Sequence, residues 1–265
     1  MMSRQKARAK TGCRWVVLWA MVLLVLSGIA SAEVELSDFE EKVFEGKGRL
    51  PYRLFSPTSL EAEQKVPLVV YLHGIGARGD DNQKQLSATK FLENIKRSGF
   101  FAQHPCYILA PQCPEDARWS GDTLQDLLGL VDHIVQRNGV DSARVYLTGQ
   151  SMGGYGTWQA LGQKPATFAA AVPVCGGGQP ESAAKFSQVP IWVFHGSADQ
   201  VVSPEKSREM VAALKSAGGR PNYTELEGVG HNSWQAAYTN PEVWQWMFQQ
   251  KREVEPPQQK KSKQK

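Results

Sequence analysis

From residue 66 onward, short apolar runs alternate with segments of helical periodicity, and this alternation limits the chain more than any other feature. The runs are "VPLVVYL" (66–72), "CYILA" (106–110), "RVYLT" (144–148), "FAAAVPVC" (168–175) and "PIWVF" (190–194). They show no polar alternation and are rich in Val, Ile and aromatics, as strands covered on both faces are. Between them, Leu124, Leu127, Leu128, Val131, Ile134 and Val135 fall on one face of a helix over 122–138, stopped by Asn138-Gly139. A second helix over 203–217 opens on Ser203 and Pro204, and Asn240-Pro241-Glu242 starts a closing one. Strand and helix in alternation predict a mostly parallel sheet with helices on both faces. Residues 33–65, with "KVFEGKGRLPYRLF", predict an antiparallel pair at one sheet edge. No repeat or linker interrupts 33–250, which reads as one α/β domain.

The two ends differ from this domain. Arg4, Lys6, Arg8, Lys10 and Arg14 precede the apolar stretch 15–30, which closes on Ala30-Ser31-Ala32. That is the layout of a secretory signal peptide over 1–32. The sixteen residues of this stretch fall short of the roughly 20 a spanning helix needs, and a membrane role requires the segment to stay uncleaved. A secreted or periplasmic location is expected. The basic residues of 1–32 and of the tail 251–265 account for more than the whole formal charge of +4. The domain between is mildly acidic, which gives no argument for nucleic-acid binding. The tail reads as disordered. Cys106 and Cys113 are candidates for a disulfide in an oxidising compartment, and Cys175 reads as a buried thiol.

Within "LTGQSMGGYG" (147–156), Gly149-Gln150-Ser151-Met152-Gly153 places a serine at a strand-to-helix corner, as the G-x-S-x-G elbow requires. A serine hydroxyl needs a base to take its proton, and the base needs an orienting acid. In the order Ser, Asp, His, those partners are Asp199, just past "PIWVF", and His231, in the loop after the last strand. Charge building on a carbonyl oxygen needs backbone N–H donors already in place. Met152 supplies one; Ile75, in the loop His73-Gly74-Ile75-Gly76, supplies the other, with Gly76 as the alternative. His73 reads as a loop brace, and His195 as a strand-end residue bonded to a loop.

The stretches "YLHGIGARGDDNQKQL", "ILAPQCPEDARW", "VYLTGQSMGGYGTW", "VPVCGGG", "WVFHGSADQVV" and "GVGHNSW" resemble, in that order, the α/β-hydrolases. More narrowly they are similar to secreted esterases of carbohydrate esterase family 1, polyhydroxybutyrate depolymerases and phospholipase/carboxylesterases, and within that group they look most like the bacterial proteins often labelled predicted peptidases. The resemblance implies an α/β-hydrolase fold with Ser151 as nucleophile, His231 as general base, Asp199 as its orienting acid, and Ile75 with Met152 as oxyanion hole. It implies that Trp119 lines a substrate pocket, that Trp234 packs behind His231, and that no cofactor or metal is used. The substrate would be a small-molecule or polysaccharide-linked ester. About fifteen residues separate "VPVC" from "PIWVF", too few for a helical cap domain, so an open site is expected. A peptidase of the same fold is the first rival. A non-catalytic binding module and a membrane-anchored interaction protein are the others.

Overall fold

The computed structural model describes residues 34–57, 60–61, 63–137 and 139–253. The expected signal peptide lies outside them. Eight strands form one sheet in the order β1-β2-β4-β3-β5-β6-β7-β8. They are β1 (Phe39–Glu45), β2 (Arg49–Phe55), β3 (Val66–Leu72), β4 (Tyr107–Pro111), β5 (Val140–Gln150), β6 (Ala170–Val174), β7 (Trp192–Gly196) and β8 (Asn222–Leu226). The pairs β1–β2 and β2–β4 are antiparallel, and every pairing from β4 to β8 is parallel. The expected edge pair and parallel sheet are therefore both present.

The period-2 pleat explains the unbroken apolar runs. In β3, Leu68, Val70 and Leu72 enter one core while Val69 and Tyr71 enter the other; in β5, Val145 and Leu147 part from Tyr146 in the same way. The first core is roofed by α3 (Gly121–Val135), α4 (Met152–Gln163) and α5 (Glu205–Ser216). The second is roofed by α1 (Lys84–Ser87), α2 (Phe91–Ser98), α6 (Trp234–Thr239) and α7 (Pro241–Gln249). Each side chain from Leu68 to Leu72 thus meets apolar neighbours on whichever face it points to. At the start of α7 the Asn240 side chain accepts the Glu242 N–H at 2.9 Å, the cap its sequence predicts.

Three expectations need correction. Cys106 and Cys113 do not pair: all three cysteines of the described residues are free and buried. The pair flanks β4 from opposite sides, Cys106 in the second core and Cys113 in the first. The tail expectation fails only at its start, where the Arg252 N–H and guanidinium donate to the Ala143 and Ser142 carbonyls, both at 3.1 Å. Residues 254–265 lie outside the described residues. The third is Trp119, which is buried in the first core.

The connection from β6 to β7 holds only a 3-10 helix, Pro180–Phe186, whose Ala183 and Phe186 pack into the first core. It adds no cap domain. Among the described residues, no helix is long and apolar enough to cross a membrane.

Candidate active site

The corner between β5 and α4 sets the site. Ser151 stands there with φ 55° and ψ −116°, a left-handed φ that a side-chain-bearing residue holds only under strain from its surroundings. Two contacts enforce it. A Cβ on Gly149 would overlap the Gly153 backbone, and one on Gly153 would overlap the Leu72 carbonyl. With both side chains absent, α4 starts directly against β3 and β5.

Asp199 follows β7 in a tight turn. Its Oδ1 accepts the N–H groups of Val201 and Val202 at 2.9 and 3.0 Å. His231 lies between β8 and α6, and the two meet: His231 Nδ1 stands 2.7 Å from Asp199 Oδ2. A carboxylate only accepts, so Nδ1 carries the hydrogen and Nε2 of the neutral ring is left with its lone pair. That Nε2 stands 2.8 Å from Ser151 Oγ. Residues 80 and 32 positions apart form one continuous hydrogen-bonded line. Burial works to raise the Asp199 pKa, but the His231 hydrogen bond and the two backbone N–H groups outweigh it and hold the carboxyl below its usual range.

Ile75 and Met152 each occupy the first position of a helix, the 3-10 helix Ile75–Ala77 and α4. A first-position N–H has no acceptor inside its own helix, so both are free to serve an outside oxygen. Gly74 brings the first loop to Ser151: a Cβ there would sit 3.6 Å from the Ser151 Cβ. The loop is braced by His73, which is wholly buried. Its Nδ1–H donates to the Gly74 carbonyl at 2.7 Å, and its Nε2 accepts the Cys113 N–H at 2.9 Å. Burial pushes the His73 pKa down to about 4, which keeps the ring neutral and this tautomer in place.

Trp119 is not a pocket residue. It is 2% exposed in the first core, and its indole N–H donates to the His73 carbonyl at 3.1 Å. Its bulk fills the space beside Gly156, so it props the loop from behind. A cleft of about 380 Å³ does open at Ser151 and His231, lined by Ile75, Ala77, Thr89, Lys90, Trp234 and Gln235. Trp234 meets the His231 ring edge-on at 5.5 Å, so it forms a cleft wall as well as a packing partner. Sequence reasoning missed Thr89 and Lys90 because the short α1 and α2 carry no clear boundary signal. Lys90 itself takes φ 54° without being glycine.

Cys175 Sγ, an Asp199 carboxylate oxygen and a His231 ring nitrogen lie within 4.8 Å of one another, a donor set a metal ion could use. The 2.7 Å bond between Asp199 and His231 already engages two of the three, and burial pushes the thiol pKa up to about 12. The arrangement as it stands suits proton transfer from a hydroxyl to an imidazole.

Residues 116–180, which include Ser151, match the prolyl oligopeptidase family. A bifunctional acetylxylan esterase/xylanase of Neocallimastix patriciarum is 28% identical over 174 residues, 63% of this chain and 24% of that protein. An acylamino-acid-releasing enzyme of Arabidopsis thaliana is 26% identical over 186 residues, 64% of this chain and 23% of that one. The chain thus spans about a quarter of the length of these curated relatives. Among solved structures, a thermostable esterase superposes with a TM-score of 0.78 at 38% identity, covering 82% of this chain and 64% of that one.

Proposed function

We propose that this chain, a member of the α/β-hydrolase superfamily, is an exported serine esterase that works through an acyl-enzyme on Ser151. The observation that carries the reading is the line from Ser151 Oγ through His231 to Asp199, at 2.8 and 2.7 Å. Export rests on the composition of residues 1–32.

In this reading Ser151 Oγ attacks the ester carbonyl carbon as its proton passes to His231 Nε2. Asp199 stabilises the imidazolium so formed and stays ionised. The carbonyl oxygen, now negative, takes the N–H groups of Ile75 and Met152. Collapse breaks the bond to the alcohol oxygen, and His231 returns its proton there. Water then attacks the acyl-enzyme by the same route, releasing the acid and restoring the Ser151 hydroxyl. The 2.8 Å approach to Nε2 is what makes an otherwise weak nucleophile competent.

The cleft suits a modest acyl group against Trp234 and Ile75, and its open surroundings suit an alcohol as bulky as a polysaccharide. The acetylxylan esterase relative supports an acyl group carried on carbohydrate. A peptidase is the second reading, favoured by the match to the prolyl oligopeptidase family and by the acylamino-acid-releasing enzyme. A panel of acetyl, feruloyl, longer-chain acyl and peptide substrates separates the two. Ser151→Ala should abolish hydrolysis of a short activated ester and labelling by a fluorophosphonate probe while leaving the fold intact. Equal rates in variant and parent would remove Ser151 from the reaction.

A further inference from the structure

Asp199 is met by two imidazoles. His195 lies on β7, and its side chain and that of Asp199 are both fully buried. Its Nε2 stands 2.9 Å from the Val202 carbonyl and 3.2 Å from Asp199 Oδ2. Both partners only accept, so Nε2 carries a hydrogen directed into the 199–202 turn. On the other side of the ring, Nδ1 lies 2.7 Å from Ser207 Oγ on α5, and that oxygen lies 3.1 Å from the Gly176 carbonyl beyond β6. The ring is therefore fixed from β7, α5 and the end of β6 at once.

We propose that His195 is a positioning residue for the hydrolytic site: its Nε2–H holds the 199–202 turn and the Asp199 carboxylate so that Oδ2 is presented to His231 Nδ1. The inference rests on the assignment of Ser151, His231 and Asp199 given above. A carboxylate turns easily about its last torsion, where the preference is broad. Here Oδ1 is held by the Val201 and Val202 N–H groups, and Oδ2 by His231 with His195 beside it. Without the His195 N–H, the Val202 carbonyl loses its side-chain donor and the turn that carries both backbone donors is released. The His231 ring then loses its fixed angle toward Ser151 Oγ, and small errors in that angle are costly to rate. His195 does not line the cleft, so substrate binding should not register its loss.

The test compares His195→Leu, which removes the donor, His195→Gln, whose amide offers one, and Ser207→Ala, which frees Nδ1. Two quantities are read: kcat and KM on a short activated ester, and the proton NMR signal of the His231 Nδ1–H, which exists whether or not ester is turned over. His195→Leu should lose roughly tenfold to hundredfold in kcat with KM within about twofold, and its downfield signal should shift or broaden. His195→Gln should recover most of the rate, and Ser207→Ala should fall between parent and Leu. A folded Leu variant with parental kcat and signal overturns the proposal. So does a Gln variant as slow as Leu whose loss follows its fall in Tm while the signal stays put. If Leu does not fold, parental kcat and an unmoved signal in Ser207→Ala overturn it equally. A parent that hydrolyses no ester would defeat the esterase reading instead, and the signal comparison would still decide the role of His195.

Discussion

Gly153 lies so close beneath the Leu72 carbonyl that a single added methyl would overlap that oxygen. The contact sets the distance between α4, which carries the Met152 N–H, and the end of β3, whose loop carries Ile75. Gly153→Ala should therefore cost about 2–3 kcal/mol, at the upper part of the usual range for overpacking. It should also lower kcat by spreading the two N–H donors. Urea unfolding and ester kinetics on the same preparation check both effects. An unchanged midpoint would mean the helix can slide without cost.

Asp199→Asn keeps the shape of the turn but offers His231 an amide in place of a carboxylate. The amide nitrogen can donate to Nδ1, which would put the ring hydrogen on Nε2 and face it toward Ser151. Loss on the order of 10⁴ in kcat follows for a triad held in the wrong tautomer, with KM little changed. Steady-state kinetics decide it, and a loss below about tenfold would show that Asp199 is not the orienting acid.

Much of this was legible in the sequence, for identifiable reasons. The apolar runs mark strands β3 to β7 because those strands are covered on both faces. The glycines around Ser151 mark the corner because no Cβ fits there. The placement of Trp119 failed because a large aromatic after a matched motif fills a core or lines a pocket equally well by pattern. What decides is the indole N–H, bonded to the His73 carbonyl. The loop bond of His195 was legible in "VFHG" as a strand end, but its approach to Asp199 was not, because the evidence for that is a set of distances.

Trp234 walls the cleft and touches the His231 ring. Trp234→Ala should therefore discriminate by acyl size. For an aryl acyl ester, kcat/KM should fall at least tenfold, within the 10–200-fold range of lost apolar contact. For acetyl the fall should be several times smaller. Measured rates that fall equally for both would make Trp234 a support of His231 alone.

Cys106, Cys113 and Cys175, the three cysteines of the described residues, are buried thiols whose pKa values burial raises, those of Cys113 and Cys175 to about 12. An aromatic disulfide reagent should thus find no reactive thiol in the folded domain and should titrate all three at once after denaturation. A shift in gel mobility between reduced and unreduced samples would instead reveal a crosslink.

His73 ties stability to pH with a definite sign. Its folded pKa of about 4 lies below the usual 6.5, so between those values the unfolded chain takes a proton that the folded chain refuses. Stability then falls as pH drops through this window, by up to about 3 kcal/mol from this ring, and the loss is complete below about pH 4. His195, also lowered by burial, acts in the same direction. Asp199, whose folded pKa is depressed, adds a separate loss only below the ordinary carboxylate range. Urea midpoints at pH steps from 7 to 4 should therefore decline before any carboxylate titrates. The slope should be shallower in His73→Asn, which has no ring to protonate. A flat profile down to about pH 4.5 would show that the buried imidazole accepts its proton in place, and that the brace behind Ile75 survives the added charge.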